Sequence, residues 1–322
     1  MTSITKNRLS ADTIGRMVQK AFGLPNAASV SELTEGYFNA AYLVGLPDGR
    51  ETVLKVAPPP GSLLMSYEKN IMSAEVQSMR LVKGKTSVPL PDVLFYDNSR
   101  SVCGSDYFFM TKLEGKSLNS LSSSLPAKSR EGLEFDTGRY NAEINRITGS
   151  KFGYFGQPDR QGSDWPAVFA DMIDGAFDDA EALKIDVGAD RASVQALLAK
   201  YRSSFEEVTI PRLIHWDLWA GNIFVKDGRI TGLIDFERCL WGDPLMEVGF
   251  RSGSQCPAFI QGYGAAPFTD RQNQRIKWYD LYLSLLMALE PDYRKYPDHS
   301  MLIQSRKKIG ETAAWLNNHS ER

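Results

Sequence analysis

The segment LIHWDLWAGNIFVKDGRITGLIDFE, residues 213–237, constrains the fold more than any other part of the chain. Two apolar, β-prone runs flank an Asp-Gly pair at 227–228, a strong signal for a hairpin with a two-residue turn. With that turn, Asn222 lies opposite Leu233, and Asp235 lies one pleat further along its strand. Diagonal neighbours of this kind are about 7–8 Å apart. Asn222 and Asp235 can therefore converge on one ion.

Amide and carboxylate oxygens suit magnesium, which commonly binds through few protein groups and completes its coordination with phosphate oxygens. Asp217 lies in the loop that enters the strand after Asn222. Any one of these residues alone is more typical of a turn cap, but three oxygen-bearing side chains at one end of a hairpin favour chemistry. The sequence predicts Asn222 and Asp235 as metal ligands, with Asp217 beside them.

A lysine and a glutamate further upstream carry charge into apolar surroundings. In the strand-like run TVLKVA, Lys55 shares a face with Val53 and Ala57, and the opposite face is apolar as well. In the helical segment that follows, Glu75 lies on the same inward stripe as Met79. A carboxylate in an apolar stripe needs a cation, so Lys55 and Glu75 are expected to pair. The alternative is an edge-strand lysine that extends to water beside a peripheral helix.

Strand signals concentrate in the first third of the chain, and helix signals follow them. Between residues 30 and 111, four β-prone runs and one helix at about 67–82 are separated by turn residues. Beyond the serine-rich segment 117–126, helices are expected at 166–182, 191–205, 271–289 and 299–316. This order predicts an α+β fold with a small β-rich lobe, residues 1–112, and a larger helical lobe, residues 113–322.

Composition excludes several classes of protein. The chain has 322 residues, 24% of them charged, and a net charge of -2, which gives no general attraction to nucleic acid. No apolar stretch is long enough for a membrane span or a signal peptide, so we expect a cytoplasmic protein with no membrane partner. Cys103, Cys239 and Cys256 are too few and too scattered for a disulfide framework or a zinc site. We expect them to be reduced.

Several motifs occur in an order that resembles the aminoglycoside phosphotransferase and choline kinase family, a relative of the protein kinases. The motifs are EGYFNAAYLV, VLKV, AEVQSMRLV, FFMTKLEG, HWDLWAGN, LIDFE and WGDPLMEV. Each is weak alone, but their joint order and spacing are specific, and they span residues 33–247. The resemblance implies a two-lobed protein-kinase-like fold with ATP in the cleft between the lobes.

The resemblance also implies a role for individual residues. Asp217 matches the catalytic aspartate, and Asn222 and Asp235 match the magnesium ligands. Lys55 matches the contact to the α and β phosphates, and Glu75 matches its anchor. The remaining matches are nucleotide contacts: Gly36 and Asn39 in the loop over the phosphates, and Thr111 and Leu113 in the hinge whose backbone binds adenine.

Four positions around this motif set call for comment. His215 resembles the structural histidine of the family, and we assign it no proton transfer. Trp216 stands where glycine is common, and Glu247 stands where aspartate is more usual. The phosphate loop has the single glycine Gly36 in place of a full glycine-rich pattern. Trp216, Glu247 and the phosphate loop are therefore the places where the chain departs from the family pattern.

The sequence thus predicts an ATP- and magnesium-dependent enzyme that phosphorylates a hydroxyl of an aminoglycoside-like, amino alcohol or sugar-type small molecule. A protein kinase is disfavoured because only seven residues separate Asp235 from Asp243, too few for an activation segment. A Walker A loop is excluded because Met79 stands where the motif ending in residues 84–86 requires glycine. The alternative is a non-catalytic nucleotide-binding or interaction protein on the same fold. Monomer and homodimer both stay open.

An acidic segment bears on the acceptor. Residues 155–190 contain nine acidic side chains against Arg160 and Lys184, a local charge of -7. Such a field can attract a cationic acceptor, but a solvated helix face is the more common explanation of such a run. Trp165, Trp219 and Trp241 could line a pocket, although core packing is the better expectation for each of them.

Overall fold

The structure is a computed structural model and describes residues 4–34, 36 and 38–320. The N-terminal part consists of α1 (Ala11–Phe22), β1 (Ser29–Leu33), β2 (Ala40–Gly45), β3 (Glu51–Val56), α2 (Ile71–Lys85), β4 (Val93–Asp97) and β5 (Tyr107–Thr111). The strands form one antiparallel sheet in the order β1-β2-β3-β5-β4. The four β-prone runs of the sequence are β2 to β5 of this sheet.

The two helices cover opposite faces of the sheet. α1 packs Ile14 and Met17 against a cluster that includes Leu54 of β3, whereas α2 packs Met79 against a cluster that includes Phe108 of β5. Because successive residues of a strand point to opposite faces, Lys55 faces α2, while its neighbour Leu54 faces α1. This arrangement directs a lysine of the central strand toward the helix that carries Glu75.

α2 begins later than the sequence predicts. The expected helix at about 67–82 is a 3-10 turn at Ser66–Glu68 followed by α2 from Ile71. Asn70, which separates them, has φ 58°, a left-handed conformation that interrupts a right-handed helix. α2 continues to Lys85.

The C-terminal part is mainly helical. It consists of β6 (Lys116–Ser117), α3 (Leu118–Leu121), α4 (Ala127–Asn145), β7 (Gly153–Tyr154), α5 (Trp165–Leu183), α6 (Arg191–Lys200), α7 (Arg202–Phe205), β8 (Arg212–Ile214), β9 (Ile223–Lys226), β10 (Arg229–Leu233), β11 (Leu240–Gly242), α8 (Pro257–Tyr263), α9 (Asp270–Arg294) and α10 (Ser300–His319). The predicted helix at 191–205 is divided at Tyr201. The short strands β6, β7, β8 and β11 had no clear signal in the sequence.

The small sheet and the larger helical part confirm the predicted α+β fold. β6 already pairs with β9 of the C-terminal part, so the chain has left the first sheet by Lys116. A lobe boundary between residues 112 and 113 stays a prediction. Among the described residues, no helix is both long enough and apolar enough to cross a bilayer. Cys103, Cys239 and Cys256 are free thiols, as expected.

β9 and β10 form the predicted hairpin, but in a different register. The turn residues 227–228 have φ 51° and 73°, as a type I′ turn requires. Leu233 pairs with Ile223 rather than with Asn222, so the predicted pairing is wrong by one residue. The cause is a β-bulge at Thr231, which adds one residue to β10.

The bulge does not separate the predicted metal ligands. The backbone N–H of Ile234 donates to the carbonyl of Asn222 at 3.0 Å, and Asp235 is the next residue. Asn222 and Asp235 therefore leave the hairpin at the same end, as the sequence predicts, although through a different set of backbone contacts.

Candidate active site

A buried ion cluster joins the N-terminal sheet to the end of the β9–β10 hairpin. The ammonium of Lys55 donates to both carboxylate oxygens of Glu75 at 2.7 Å, so the predicted ion pair is present. It also donates to Oδ1 of Asp235 at 2.8 Å. Lys55 is 9% exposed and Glu75 is 1% exposed, so water and salt screen these contacts only weakly.

Glu237 belongs to the same cluster, although the sequence reasoning did not identify it. One carboxylate oxygen from each of Glu75, Asp235 and Glu237 lies within 4.8 Å of the others. Lys55 pairs with Glu75 and Asp235, and Glu237 adds a third carboxylate beside them. Three carboxylates around one ammonium provide several hard oxygen atoms, a donor set that fits a divalent cation. The available signal was a second carboxylate two residues after a predicted metal ligand.

The close charges in this cluster shift the pKa values of its members. Burial lowers the pKa of Lys55, but the carboxylates of Asp235 and Glu75 outweigh burial and raise it. Burial also opposes ionisation of Asp235, yet Lys55 holds the pKa of Asp235 below its usual value. For Glu237, burial and the charges of Asp235 and Glu75 raise the pKa well above its usual value. Among the described residues, Glu237 forms no ion pair, so a bound cation would favour its ionised form.

The loop between β1 and β2 contacts this cluster through Asn39. Its Nδ2 donates to Oε2 of Glu237 at 2.6 Å, and its Oδ1 is buried with no partner among the described residues. Gly36, in the same loop, is exposed, with open space where a Cβ atom would lie. Asn39 therefore lies beside the predicted metal ligands, whereas no contact with a described residue requires glycine at position 36.

The two predicted hinge residues, Thr111 and Leu113, lie between the N-terminal sheet and the β9–β10 hairpin. Thr111 ends β5, where its N–H donates to the carbonyl of Asp92 at 2.9 Å and its hydroxyl accepts from the N–H of Asp92 at 2.8 Å. The side chain of Leu113 packs on Gly232 so closely that a Cβ at position 232 would lie 2.5 Å from it. The hinge is thus held by the C-terminal hairpin, and the adenine contacts of Thr111 and Leu113 stay predictions.

His215 braces the loop that carries Asp217. Its Nδ1 accepts from the backbone N–H of Asp217 at 3.3 Å, and its Nε2 lies 3.1 Å from the carbonyl oxygen of Ile234. Because Nδ1 accepts, the ring proton is assigned to Nε2. The side chain is fully buried. These contacts join the loop to the strand that leads to Asp235, the structural role expected from the sequence.

Trp216, the residue before Asp217, has φ 63°, a left-handed conformation that favours glycine. A bulky residue there costs on the order of 1–3 kcal/mol. Its indole ring is buried and stacks on Tyr282 with ring centroids 5.6 Å apart and planes 6° apart. Burial of a tryptophan contributes at least as much free energy as this strain costs. The glycine common at this position is thus replaced by an aromatic anchor.

Glu247 explains the second departure from the family pattern. Its carboxylate accepts from the backbone N–H groups of His215 and Trp216 at 2.8 and 2.9 Å. The side-chain amides of Asn141 and Asn145 donate to it at 2.9 Å. The side chain has no exposed surface. Glu247 therefore fixes the start of the loop that carries Asp217.

Asp217, which follows His215 and Trp216 in this loop, is partly exposed. Nδ2 of Asn222 donates to its backbone carbonyl at 2.8 Å, which joins the two predicted site residues. Burial raises the pKa of the Asp217 carboxyl, and the charges of Arg238 and Arg251 oppose that rise. A carboxylate with a raised pKa is a better proton acceptor than an exposed aspartate.

Arginines pair with most of the carboxylates in the acidic segment 155–190. Six of its nine carboxylates form ion pairs: Asp171 with Arg160, Asp174, Asp178 and Glu181 with Arg191, Asp164 with Arg202, and Asp186 with Arg306. Asp190 caps the N-terminus of α6, and Asp179 accepts from Ser66. This pattern favours the solvated helix face over a docking site for a cationic acceptor.

The three tryptophans considered as pocket walls differ in environment. Trp165 is buried, and its Nε1 donates to the hydroxyl of Tyr279 at 3.0 Å, so it belongs to the core, as expected. Trp241 stacks on Phe155 with ring centroids 5.5 Å apart. Trp219, two residues after Asp217, is 42% exposed. Of the three, Trp219 has the exposed ring, and it lies in the same loop as Asp217.

The β-rich lobe, the helical lobe and the charged cluster at their junction define a two-lobed kinase-like protein. The profile of the phosphotransferase enzyme family matches residues 29–278. The chain therefore belongs to this family, as its motifs indicate.

Solved structures of similar fold are aminoglycoside phosphotransferases. A complex of APH(4)-Ia with ADP and hygromycin B superposes with a TM-score of 0.64 at 18% identity, covering 94% of this chain and 98% of that one. A complex of APH(2")-IIa with streptomycin and ATP superposes with a TM-score of 0.63 at 16% identity, covering 96% and 98%. At this level of identity, the likeness establishes the fold alone.

Two curated relatives match over shorter regions. A protein described as a probable ketoamine kinase of Staphylococcus aureus is 29% identical over 153 residues, 43% of this chain and 50% of that protein. A subtelomeric hrmA-associated cluster protein of Aspergillus fumigatus is 28% identical over 92 residues, 28% of this chain and 17% of that protein. The chain thus spans at most half the length of these relatives.

Proposed function

We propose that the chain is an ATP-dependent phosphotransferase that moves the γ-phosphate of ATP to a hydroxyl group of a small molecule. The observation that best supports this function is the convergence of Lys55, Asp235 and Glu237 at the junction of the lobes, with Asp217 on the adjoining loop. Family membership and the fold of nucleotide-bound neighbours support it as well. Aminoglycoside-like, amino alcohol and sugar-type acceptors are the candidate substrates.

In this proposal Asp217 orients the acceptor hydroxyl by accepting its hydrogen bond. As the hydroxyl oxygen bonds to the γ-phosphorus and the bond to the ADP oxygen breaks, the hydroxyl proton passes to the Asp217 carboxylate. Because transition states of phosphoryl transfer are loose, orientation is the larger part of this contribution. Lys55 contacts the α and β phosphates, and Glu75 holds the ammonium in place.

Asn222 and Asp235 are the proposed magnesium ligands, and Glu237 is a further candidate. The clustered carboxylates of Glu75, Asp235 and Glu237 fit a divalent cation. Asn222, at the same end of the hairpin, would add an amide oxygen. When bound, magnesium neutralises negative charge on the phosphate oxygens. The chain supplies the fixed positions of these ligands through the hairpin and through the contact of Asn222 with Asp217.

Replacing Asp217 tests the proposal. Turnover is measured as ADP release with a screen of aminoglycosides, macrolides, choline, amino alcohols and sugars. Asp217→Ala is expected to lower turnover of any active acceptor by about 10²–10⁴-fold, the usual contribution of a positioned general base. Binding of AMP-PNP with magnesium should be retained, because Asp217 does not contact the nucleotide in this mechanism.

Asp186→Ala is the matched control, because Asp186 pairs with Arg306 at the surface. This variant should keep wild-type turnover. Near-normal turnover in Asp217→Ala would exclude Asp217 as the catalytic aspartate. Failure of the wild-type chain to bind AMP-PNP with magnesium would favour the alternative of an interaction protein on the same fold.

A further inference from the structure

Two arginines without a role in the proposed mechanism flank Asp217. Arg238 ends the 3-10 turn Phe236–Arg238, and Arg251 follows the turn Val248–Phe250. Arg251 donates to the backbone carbonyl of Trp216, the residue before Asp217. Arg238 lies 5.5 Å from the ring centroid of Tyr67, which in turn meets the Trp216 ring at 6.1 Å. Both guanidinium groups therefore lie beside the loop that carries Asp217, and their charges oppose the rise in its pKa. Among the described residues, neither of them forms an ion pair with Asp217.

Each guanidinium uses only part of its hydrogen-bonding capacity. Arg238 donates to Oε1 of Glu290 at 3.0 Å and lies 5.5 Å from the ring centroid of Tyr67. Arg251 donates to the backbone carbonyl of Trp216. A guanidinium has five N–H donors, and neither group forms another hydrogen bond with a described residue.

The unused donors are accessible. Among the described residues, buried side-chain atoms without a partner include Nε of Arg191 but no nitrogen of Arg238 or Arg251. The unpaired N–H groups of these two residues are therefore not fully buried, and the Arg238 side chain is 19% exposed. Donors of this kind can bind water or a ligand.

The charge of this wall favours one class of ligand. Glu290 compensates Arg238, but Arg251 has no carboxylate in ion-pair contact among the described residues. Two guanidinium groups with free donors repel a cation and suit a carboxylate or phosphate, whose oxygens match the planar N–H fork. The carboxylates of α5, in contrast, are occupied by other arginines.

We propose that Arg238 and Arg251 bind a carboxylate or phosphate group of the acceptor, so that hydroxylated small anions are the substrate class of this site. The inference rests on the proposed function, because it places the acceptor hydroxyl at Asp217. It assigns a specificity-determining role to two residues that the catalytic mechanism leaves unused.

Calorimetric titration of the full chain saturated with magnesium and AMP-PNP tests this proposal. The probes are matched pairs that differ in charge: gluconate against glucamine, and glucose 6-phosphate against 6-amino-6-deoxyglucose. The carboxylate or the phosphate probe should bind more tightly than its amine counterpart. Tighter binding of the carboxylate probe identifies a carboxylate ligand, and tighter binding of the phosphate probe identifies a phosphate ligand. Arg238→Gln and Arg251→Gln should each weaken that binding by about tenfold or more, the usual effect of losing a charged hydrogen bond.

Three controls make the result specific. Arg251→Lys should recover part of the affinity, because it keeps the charge but loses the planar fork. Arg306→Gln removes a surface arginine paired with Asp186 and should change nothing. The affinity for AMP-PNP should change less than about threefold in Arg238→Gln and Arg251→Gln, a difference well below 1 kcal/mol. Circular dichroism confirms that each variant is folded.

The proposal is overturned if no anionic probe binds more tightly than its amine counterpart, or if both Arg→Gln variants bind the anion normally. It is also overturned if the variants lower kcat for an active acceptor without changing its KM, because the arginines would then act on the transferred phosphoryl group. Failure of the wild-type chain to bind AMP-PNP with magnesium is a different result and contradicts the proposed function itself.

Discussion

Carboxylates form two dense groups in this chain, and the two groups differ in burial and in the partners of their side chains. Near the cleft, Glu75 and Glu247 are 1% and 0% exposed. On α5, the side chains of Asp178 and Glu181 are 64% and 70% exposed. A buried carboxylate needs specific partners, whereas an exposed ion pair contributes only about 0–1 kcal/mol. Burial, rather than the number of charges, therefore distinguishes the carboxylates near the cleft from those on α5.

The acidic segment also shows why a local count of charge is misleading. Residues 155–190 have a net charge of -7, but Arg191, the next residue, contacts three of their carboxylates. Further arginines come from positions 202 and 306. The compensating charge lies just outside the segment or far from it in sequence, and Arg191, Arg202 and Arg306 together reduce the local charge from -7 to -4 in the folded chain.

The largest expected effect on stability is at Glu247. Glu247→Gln leaves at least one of the N–H donors of His215, Trp216 and the two asparagines facing an amide that cannot accept. We expect the free energy of unfolding to fall by about 3 kcal/mol, measured by urea denaturation. The exposed Glu206→Gln, which removes a surface pair with Arg202, should change it by less than about 1 kcal/mol. Equal effects in the two variants would contradict the comparison.

Lys55→Met tests the buried cluster through activity. The substitution leaves Glu75, Asp235 and Glu237 without their cation and removes the proposed phosphate contact. Turnover should fall by about a hundredfold or more, as for other preorganised groups that stabilise charge in the transition state. Lys83→Met is the control, because Lys83 forms an exposed pair with Asp92. Wild-type turnover and nucleotide affinity in Lys55→Met would exclude the assigned role.

Glu237→Gln separates metal binding from simple stability. Removal of one of three neighbouring like charges should leave the metal-free melting temperature unchanged or raise it. The magnesium concentration needed for half-maximal AMP-PNP binding should rise by roughly tenfold, the effect of losing one charged ligand. A thermal-shift titration with magnesium measures both quantities. An unchanged magnesium requirement would exclude Glu237 as a ligand and leave Asn222 and Asp235 as the candidates.

The smallest effect is expected on α5. A chain with Asp174→Asn, Asp178→Asn and Glu181→Gln loses the carboxylates that contact Arg191. Its free energy of unfolding should change by at most about 1 kcal/mol, and its acceptor binding should not change. If this variant instead lost affinity for an acceptor, the hypothesis of a cationic substrate attracted by α5 would return.

Much of this fold follows from local patterns in the sequence. The Asp-Gly turn at 227–228 specifies a hairpin because few other residues adopt its backbone conformation readily. Strand alternation places Lys55 on the face that meets α2, and the apolar stripe of that helix directs Glu75 inward, so their ion pair could be predicted. The order of strand and helix signals predicted the α+β architecture, and the order of motifs predicted the family. The hairpin turn and the faces of Lys55 and Glu75 depend on neighbours within a few residues of one another.

Other features required the tertiary structure, because they arise from contacts between distant residues. Asn39 and Glu237 meet across 198 positions, and Lys55 and Asp235 meet across 180. The bulge at Thr231 changes the hairpin register, and no local pattern in the sequence indicates it. The free donors of Arg238 and Arg251 become evident only when every other partner has been placed. The sequence by itself determined strands β2 to β5, the β9–β10 hairpin, most of the longer helices and the central charged residues. Packing decided which charges are paired and which stay available to a ligand.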